Sequence, residues 1–537
     1  PLKVLKFVLR KKMIQKRHDA GKLEFLKHHK AISILILCLT GFLIPYVGVF
    51  LYAMEEYNQT AYNLEAPDPD TFMKANSTRL YAMAMWYEEN IRNYHMPHNM
   101  IVNTHFNSSL NPYANKSVPD SYSVTYDSAE WTGHYLMAEA YRWAVHDKEN
   151  NITLRNEAKE NLIFTLEGVD KILHVSGNGG MARYAWPIDE YPGDPDNIED
   201  PNHYRVEWEG DEYILEDDTS RDMHNGIIMG LGCVHMMVTD LEVRVKVANL
   251  VEDLLDFFID TGWLYLRPTD DPNGTDLDAG YWLFGTSGIW TLAYLKVGEE
   301  VNSEKYGPLY QEYAIERDYV HRSAIPWMSR TNVVQSYYGL LLDFEVLYIL
   351  VMLEEDDSLR EVYLDYIGQI YEYIKYDRNA QFNAMWLIMN EINRKNANDD
   401  QEIILGDIAD CLMRYYEATQ RFPGRAIDLE NDDVQDPIAT KWYDFFTEGW
   451  GAILYPFWRS VYHFEPKKAD IALTPDLRPQ TDYLWSRPPY WYEQDADGQN
   501  EGPGVDYTAV YWPCRYYGLI EAPSDSNTRV YPQYPGE

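Results

Sequence analysis

Apolar residues recur at intervals of three and four along most of this 537-residue chain, the spacing that places them on one face of an α-helix. The run Leu250, Leu254 and Phe258 is one example. The periodicity predicts helices over about 71–95, 127–147, 154–175, 219–239, 241–260, 281–297, 330–353, 357–377, 381–394, 400–420 and 445–460. Asp127 and Thr219 stand at the start of two of these segments and are predicted N-caps.

The links between the predicted helices are of two kinds. Some are short turns, such as Thr239–Asp240, and others are long and rich in Gly, Pro, Asp and aromatic residues. The long links lie at 176–218, 261–280 and 461–512. This alternation is typical of helical hairpins, so we predict an all-α fold, a toroid of helical hairpins over 71–460 with its long loops on one face. Residues 461–537 form an aromatic and Pro-rich C-terminal segment expected to pack on the toroid, and a tandem-repeat solenoid is the alternative, although no fixed-period repeat is present.

Residues 31–54 form an uninterrupted apolar stretch of 24 residues without a formal charge. At about 1.5 Å per residue, a helix of this length crosses the roughly 30 Å hydrocarbon layer of a bilayer. A cleaved signal peptide is the competing interpretation, but its apolar region is normally about 7–15 residues long and ends in a small-residue cleavage site. The stretch therefore predicts a single, uncleaved transmembrane helix.

The formal net charge of -39 is unevenly distributed along the chain. Residues 1–30 contain ten Lys and Arg against two acidic residues, a balance of +8, so the remaining residues carry -47. By the positive-inside tendency, 1–30 is a basic cytoplasmic segment, and a stalk at 55–70 leads to a main domain outside the cell membrane. A body this acidic repels phosphate backbones, which argues against nucleic-acid binding. The aromatic content of 15% argues against a disordered chain.

Glycosylation sequons agree with this orientation, because every N-x-S/T sequence follows the predicted span. The sequon asparagines are Asn58, Asn76, Asn107, Asn115, Asn151 and Asn273. The cysteines are widely spaced and form no CxxC pair, so a Cys-based zinc site or redox pair is unsupported.

Four segments concentrate residue types that carry chemistry. They are EWTGHY at 130–135, NGGMARY at 178–184, DDTSRDMHNG at 217–226 and EGPGVDY at 501–507. Glu130 and His134 lie four residues apart and share one helix face. Asp222 lies at the start of a predicted helix, and Asp506 lies in a loop constrained by glycine and proline.

The helix EWTGHYLMAEAYRWAV, the segment SRDMHNGIIMGLG and the C-terminal run DYLWSRPP…EGPGVDYTAVYW together resemble six-hairpin, (α/α)6-toroid glycosidase-like proteins over about 70–530. The resemblance implies the fold more firmly than an activity, because such toroids host hydrolases, lyases, epimerases and binding proteins. In those relatives the segment that corresponds to SRDMHNGIIMGLG begins with the sequence S-R-D-Q. This chain has Met223 where Gln would stand, so a polar role at that position is not carried over.

Glycoside hydrolysis generally uses two carboxyls across the scissile bond, one of them raised in pKa so that it acts as an acid. Glu130, Asp222 and Asp506 are the candidate catalytic carboxyls. Side chains that orient sugar hydroxyls or stack on pyranose rings are the candidate substrate-binding residues: His134, Arg183, Arg221, His224, Trp131, Trp208, Trp282 and Trp512. A structural interpretation stays open for each, because Asp222 also suits a cap or a pair with Arg221 and tryptophans also fill cores.

A lyase is the alternative chemistry, with Tyr184 or His224 as the base and Arg183 or Arg221 neutralising a uronate carboxylate. An acidic body binds a polyanion poorly, so hydrolysis of a neutral glycan ranks first.

Two acidic turns make Ca²⁺ a candidate cofactor, because this cation prefers oxygen ligands. The candidate ligands are Asp271, Asp276, Asp278, Asp495 and Asp497. Neither turn matches the full EF-hand pattern, and acidic turns are common in acidic proteins.

The sequence therefore favours a membrane-anchored, extracellular, carbohydrate-active protein that contacts lipid through residues 31–54. The alternative is a non-catalytic glycan-binding or scaffold subunit that contacts neighbouring surface or membrane proteins. Two carboxyls facing each other about 5–10 Å apart across an open, aromatic-lined cleft would favour hydrolysis. Scattering of Glu130, His134, Asp222 and Asp506, or their burial in salt bridges, would favour the alternative.

Overall fold

The structure, a computed structural model, describes residues 65–106, 119–265, 275–276, 287–323, 337–415, 471–478, 481–490 and 499–524. The predicted cytoplasmic segment 1–30, the predicted transmembrane helix 31–54 and the predicted helix 445–460 lie outside these residues. Within the described ranges, no helix combines the length and the apolar character needed to cross a bilayer.

Most of the described residues are helical, as the periodicity predicts. The helices are α1 (Ser77–Tyr94), α2 (Ser128–Lys148), α3 (Ile152–His174), α4 (Arg221–Met237), α5 (Leu241–Thr261), α6 (Ser287–Val301), α7 (Ser303–Gln311), α8 (Tyr319–Ser323), α9 (Tyr337–Leu353), α10 (Asp357–Ile374), α11 (Ala380–Met389), α12 (Asp399–Arg414) and α13 (Val505–Tyr517). Each predicted helical segment other than 445–460 overlaps one of these helices. Helices α7, α8 and α13 were not predicted.

Polar side chains define several helix starts. Asn151 and Asp240 accept hydrogen bonds from backbone N–H groups in the first turns of α3 and α5. The two predicted caps differ in detail from the structure. Asp127 precedes α2 but makes no capping hydrogen bond, and the N-cap of α4 is Ser220 rather than Thr219. The first turn of α4 therefore begins one residue later than predicted.

Two of the sequon asparagines are helix N-caps. The side-chain oxygen of Asn76 accepts the N–H of Arg79 at 3.0 Å, and that of Asn151 accepts the N–H of Leu154 at 3.2 Å. Both therefore lie at the start of a helix, where the cap stabilises the first turn. The remaining sequons, at Asn58, Asn107, Asn115 and Asn273, lie outside the described residues.

Short antiparallel strands occupy several of the links between the helices, including the predicted long links 176–218, 261–280 and 461–512. They are β1 (Asn103–Phe106), β2 (Pro119–Ser123), β3 (Tyr184–Pro187), β4 (His203–Trp208), β5 (Asp211–Glu216), β6 (Leu264–Tyr265), β7 (Thr275–Asp276) and β8 (Asn500–Glu501). They pair in the orders β2–β1–β8, β3–β5–β4 and β6–β7. Glu209 and Gly210 join β4 to β5 with positive φ at both positions, the two-residue hairpin geometry that matches strand twist.

The helices pack on one another in a continuous succession. Helix α2 contacts α4, α4 contacts α6 and α9, α9 contacts α11, α11 contacts α13, and α13 contacts α2. A second set packs against the first, with α3 on α2, α5 on α4, α7 on α6, α10 on α9, α12 on α11 and α1 on α13. Helix α2 is buried over almost its whole length, so the first set contributes much of the core.

Helix α13 begins within the predicted loop 461–512 and is part of the core. The Trp512 indole has no exposed surface and donates its N–H to Glu88 Oε1 at 2.7 Å. The Tyr507 hydroxyl donates to the backbone oxygen of Leu80 at 2.8 Å. Both partners lie on α1, so α13 joins the beginning and the end of the described chain.

Candidate active site

Helices α2 and α4 approach each other closely at glycines. A Cβ on Gly226 of α4 would stand 2.7 Å from the Cα of Glu130, and a Cβ on Gly230 would stand 2.4 Å from the carbonyl oxygen of Gly133. Real Cβ atoms do not come this near to backbone, so only glycine permits the crossing. The crossing brings Glu130, in the first turn of α2, beside Asp222, in the first turn of α4. The EWTGHY and SRDMHNG motifs are thus the two sides of one helix contact.

The hydroxyl of Tyr338, near the start of α9, contacts both of these carboxyls. It bonds Glu130 Oε2 and lies 2.9 Å from Asp222 Oδ2. A phenol carries one proton, so Tyr338 donates to one carboxylate at a time. The Tyr338 hydroxyl forms hydrogen bonds with both carboxyls when one of them is protonated, because that carboxyl then donates to the hydroxyl oxygen. One oxygen from each of Asp127, Glu130 and Asp222 lies within 4.8 Å of the other two.

Glu130 is a glutamate whose protonated form is favoured by burial. It is fully buried, and this burial raises the pKa of its carboxyl well above the usual range. The charges of Glu345, Asp222 and Asp127 raise that pKa further, and the hydrogen bond from Tyr338 lowers it. These effects favour the acid form of Glu130, which is the form that proton donation requires.

Glu345 of α9 is the second buried glutamate of the site, and burial raises the pKa of its carboxyl well above the usual range as well. Its Oε1 lies 2.8 Å from His134 Nε2. His134 Nδ1 lies 3.2 Å from Gln381 Nε2 and 3.1 Å from the Tyr483 hydroxyl. Because Tyr483 donates to Gln381 Oε1 at 3.0 Å, Gln381 presents its N–H to Nδ1, and the imidazole proton lies on Nε2 and is donated to Glu345. Burial lowers the pKa of His134 to about 3, so the ring is neutral.

The site has a buried part and a partly exposed part. Glu130, His134 and Glu345 are fully buried, whereas Asp127 and Asp222 retain exposed surface. Burial, followed by the negative charge of Asp222, raises the pKa of Asp127 to about 7. A ligand in solvent therefore meets the cluster at the edge formed by Asp127 and Asp222.

Two overlapping sets of side chains have the ligand types of a divalent-cation site, with one ligand atom from each member within 4.8 Å of the others: Glu130, His134 and Glu345, and Asp127, Glu130 and Asp222. Neither set contains a predicted calcium ligand. Asp271, Asp278, Asp495 and Asp497 lie outside the described residues, and Asp276 lies in β7. The calcium prediction therefore stays a prediction.

Arg183, predicted to bind substrate, joins the segments that precede α2 and α4. Its guanidinium donates to the backbone oxygens of Tyr126 and Asp218, the second at 2.6 Å, and to Ser220 Oγ at 3.3 Å. It also lies 3.9 Å from Asp127. Arg183 thus fixes the position of the two site helices relative to each other.

The other predicted polar residues lie on α4. The Arg221 guanidinium lies over the Trp290 ring, 5.3 Å from its centroid. His224 is buried, its Nδ1 lies 2.9 Å from the Ser220 oxygen, and burial lowers its pKa to about 4. Met223 is also buried, so an apolar side chain suits the position where the resembled motif has Gln.

Asp506, the third predicted carboxyl, belongs to neither of these sets. It accepts hydrogen bonds from the Tyr415 hydroxyl and from the backbone N–H of Leu484, the latter at 2.9 Å. The Trp485 indole donates to the Asp506 backbone oxygen at 2.7 Å. Burial raises the pKa of the Asp506 carboxyl to about 6. These contacts attach the segment around Leu484 to the start of α13.

The predicted aromatic platforms are mostly buried. Trp131 stacks on Tyr483 with ring centroids 4.4 Å apart, and Trp512 is enclosed in the core. Trp208 on β4 packs against Tyr213 and keeps exposed surface. Trp282 lies outside the described residues. Among the predicted tryptophans that the structure describes, Trp208 is thus the one with a ring surface open to solvent.

Sequence reasoning missed Tyr338, Glu345, Gln381 and Tyr483. A signal for Glu345 is present, because Asp343 and Glu345 interrupt the otherwise apolar run YYGLLLDFEVLYILVML. A carboxyl in such a helix is buried and needs a partner. Nothing distinguishes Tyr338 among the 45 tyrosines of the chain.

Comparisons of this chain with protein-family models, with curated proteins and with solved structures find no match.

Proposed function

We propose that the chain is a membrane-anchored, extracellular, carbohydrate-active protein of the glycoside-hydrolase type, built on an (α/α)6 toroid. The observation that carries the proposal is the juxtaposition of Glu130 and Asp222, two carboxyls from different helices that share one tyrosine hydroxyl. Burial favours the protonated form of Glu130, and Asp222 is partly exposed. This is the asymmetry that acid-assisted glycoside cleavage uses.

Support for the toroid comes from the order of helix contacts. The succession α2, α4, α6, α9, α11 and α13 returns from α13 to α2, and each member contacts a further helix outside the succession. Six inner helices with six outer partners are the arrangement of an (α/α)6 toroid. The first turns of α2, α4 and α9 converge on the candidate site, where long loops gather in such folds.

In the proposed mechanism, Glu130 is the acid and donates its proton to the glycosidic oxygen as the leaving sugar departs. Asp222, held by the Ser220 and Tyr338 hydroxyls, attacks the anomeric carbon. The closest oxygens of Glu130 and Asp222 lie within 4.8 Å, nearer to the spacing of retaining enzymes, about 5–5.5 Å, than to that of inverting enzymes, about 6.5–9.5 Å. A water molecule then hydrolyses the glycosyl-enzyme, with Glu130 acting as the base.

The charges around the pair favour a neutral glycan. Asp127 and Glu345 add carboxyls to the site, and the whole chain carries -39. The Arg183 guanidinium is occupied by backbone oxygens. A uronate-bearing substrate would meet net repulsion at this edge, so lyase chemistry ranks below hydrolysis.

The membrane anchor and outward orientation rest on the sequence. The apolar stretch 31–54, the basic segment 1–30 and the sequons beyond them all support a single-pass anchor with an extracellular main domain.

Turnover of a panel of neutral oligosaccharides by the detergent-solubilised chain tests the proposal. Glu130→Gln and Asp222→Asn should each lower kcat by about 10²–10⁴-fold, the usual loss on removing a group that transfers a proton or attacks in the transition state. Glu501→Gln is the matched control, because Glu501 is equally buried but bonds Asn90 and His95 instead. Retention of the anomeric configuration, read by NMR, would support Asp222 as the nucleophile. Unchanged turnover in both site variants would remove the assignment.

A non-catalytic glycan-binding or scaffold role is the second candidate, favoured by one observation. Glu130 has no exposed surface, and its Oε2 is already bonded by Tyr338. In that case the carboxyl cluster stabilises the helix crossing and transfers no proton. Glycan binding without turnover, retained in Glu130→Gln, would support this role.

A further inference from the structure

Tyr126 presents an aromatic ring to solvent at the edge of the candidate site. Its side chain is 47% exposed, the largest exposed fraction of any aromatic residue in the described part of the chain. It directly precedes Asp127, which with Asp222 forms the partly exposed edge of the carboxyl cluster. Most of the tryptophans predicted as sugar platforms are buried, so Tyr126 offers at this edge the open ring that they do not.

The backbone that carries Tyr126 is held in a fixed conformation. Tyr126 lies in the short 3₁₀ turn Thr125–Asp127, and Val124 before this turn has a φ of 63°, in the left-handed region. A β-branched residue rarely adopts that conformation, which persists where surrounding contacts enforce it and is common at ligand sites. The Arg183 guanidinium makes one such contact, because it donates to the Tyr126 backbone oxygen. The ring is therefore mounted on an ordered turn, which reduces the entropy lost when a ligand binds.

Asp482 lies beside the ring and has room for further hydrogen bonds. Its Oδ1 accepts the side-chain N–H of Asn103 at 3.2 Å, and its Oδ2 accepts the Tyr126 hydroxyl at 3.4 Å, a long contact that is open to solvent. Each carboxylate oxygen has two lone pairs, so both oxygens can accept a second donor. A ligand lying on the Tyr126 ring can therefore donate hydrogen bonds to Asp482.

Arg487 supplies hydrogen-bond donors at the same place. Its Nε–H donates to Thr481 Oγ1 at 3.2 Å, and its other N–H groups have no acceptor in the described part of the chain. Its positive charge acts on Tyr126, Asp127 and Asp482 alike. The negative charge of Asp482 acts on Asp127 as well. The ring, the carboxylate and the guanidinium therefore face the same edge of the cluster.

We propose that Tyr126, Asp482 and Arg487 form a sugar-binding subsite that adjoins the pair of Glu130 and Asp222. The apolar face of a neutral pyranose packs on the Tyr126 ring, its hydroxyls donate to Asp482, and Arg487 donates to one of its oxygens. The inference rests on the proposed function and names residues that position its substrate. These residues hold the sugar ring and take no part in breaking the glycosidic bond.

Titration calorimetry tests the subsite without turnover. Cellotetraose, maltotetraose and mannotetraose are each titrated into the detergent-solubilised full-length chain carrying Glu130→Gln, and the Kd is measured. Adding Tyr126→Ala should weaken that Kd roughly tenfold, whereas Tyr126→Trp, which keeps an aromatic face, should hold it within about threefold. Tyr376→Ala is the matched control, because the Tyr376 hydroxyl also bonds an aspartate, Asp400, at the surface. It should leave the Kd unchanged.

Steady-state kinetics of the chain with Glu130 intact gives the second readout. Tyr126→Ala and Asp482→Asn should each raise KM roughly tenfold and change kcat by less than about threefold, the pattern of a group that binds the ground state and the transition state equally. A merely structural role would lower kcat without raising KM. Asp482→Asn serves alone if Tyr126→Ala does not fold.

The two readouts separate the subsite from the hydrolase function. Weaker binding in Tyr126→Ala, found in a chain that turns over no oligosaccharide, would leave the subsite standing and remove the hydrolase function. Turnover with Kd and KM unmoved by both Tyr126→Ala and Asp482→Asn would overturn the subsite and leave the hydrolase function standing. Failure of all three oligosaccharides to bind would also overturn the subsite.

Discussion

Gly133 of α2 lies so close to Gly226 of α4 that a Cβ on Gly133 would stand 1.9 Å from the Gly226 carbonyl oxygen. The crossing point is about one helical turn beyond Glu130 on α2 and about one turn beyond Asp222 on α4. Backbone contact, rather than side-chain packing, therefore sets the distance between the two carboxyls.

Gly133→Ala should separate the two helices and destabilise the fold. Overpacking typically costs about 1–3 kcal/mol, and here the obstructing atoms are backbone, so we expect the upper end of that range or more. Urea unfolding of the variant measures the loss. Gly307→Ala is the control, because the nearest atom there is the movable Glu299 carboxylate at 3.2 Å, and it should change stability by less than about 1 kcal/mol. Equal stability of the two variants would contradict the close-contact argument.

Tyr338→Phe should leave Glu130 Oε2 and Asp222 Oδ2 without their shared donor. An unsatisfied buried polar group costs about 1–3 kcal/mol, which urea unfolding would detect. Because the lost hydrogen bond lowers the pKa of Glu130, that pKa should rise further in the variant, moving the alkaline limb of turnover to higher pH. Tyr376→Phe removes a comparable bond to Asp400 at the surface and should cost less than about 1 kcal/mol. Movement of the alkaline limb of the turnover profile to lower pH in Tyr338→Phe would contradict the hydrogen bond from Tyr338 to Glu130.

The Asp343→Asn variant should become more stable relative to the wild-type protein as the pH rises. Asp343 is buried, its Oδ1 accepts the Trp290 indole N–H at 3.3 Å, and burial raises its pKa to about 7 from 3.8. A carboxyl whose pKa is higher in the folded state than in the unfolded state stabilises the fold fully at pH values below the unfolded-state pKa. This contribution is lost as the pH rises through the folded-state pKa. Asparagine does not titrate. Between about pH 4 and 7, the free energy of unfolding of the variant should therefore rise relative to that of wild type by up to about 1.4 kcal/mol per pH unit. Urea unfolding across that range measures the difference, and a constant value would refute the burial argument.

Arg183→Lys should loosen the starts of α2 and α4. A lysine ammonium cannot reach the backbone oxygens of Tyr126 and Asp218 together, and charged hydrogen bonds contribute about 1.5–3 kcal/mol. Hydrogen exchange should accelerate around Asp127 and Ser220. Arg205→Lys, at an exposed pair with Glu212, should cost at most about 1 kcal/mol. Unchanged exchange at both helix starts would show that Arg183 does not position them.

Cys233, Cys411 and Cys514 should be unreactive in the folded protein. All are buried free thiols, and burial raises the pKa of each. A thiol reagent should label them only as fast as the protein unfolds. The labelling rate should therefore increase with denaturant concentration. Rapid labelling of any of them under native conditions would contradict this packing.

The sequence predicts most helices because their apolar periodicity survives in the folded chain. It hides α13, whose residues follow the Gly502–Gly504 turn and include Pro513, both of which are typical of loops. The strands are missed because they are short and lie within polar links. The hairpin β4–β5 carries a readable signal in its alternation and its Glu209–Gly210 turn.

The candidate site is predictable from the sequence only in part. Glu130 and Asp222 are identified because each lies in the first turn of a helix within a distinctive motif. Glu345 and Tyr338 contribute from α9, more than a hundred residues further on, and local periodicity does not say which helices meet. Composition also cannot separate a buried, hydrogen-bonded carboxyl such as Asp506 from one that faces a ligand.

The position of α13 has a consequence for how this chain is made. Its hydrogen bonds to α1 join residues 427 and 424 positions apart, and it also contacts α2 and α11. During synthesis the apolar faces of these helices that α13 covers therefore stay exposed to solvent until almost the whole described chain has left the ribosome. Closure over such a separation is entropically slow, and the incomplete body is exposed to aggregation. Docking of α13 is thus a late step in the folding of this domain, because its partners on α1 are synthesised more than four hundred residues earlier.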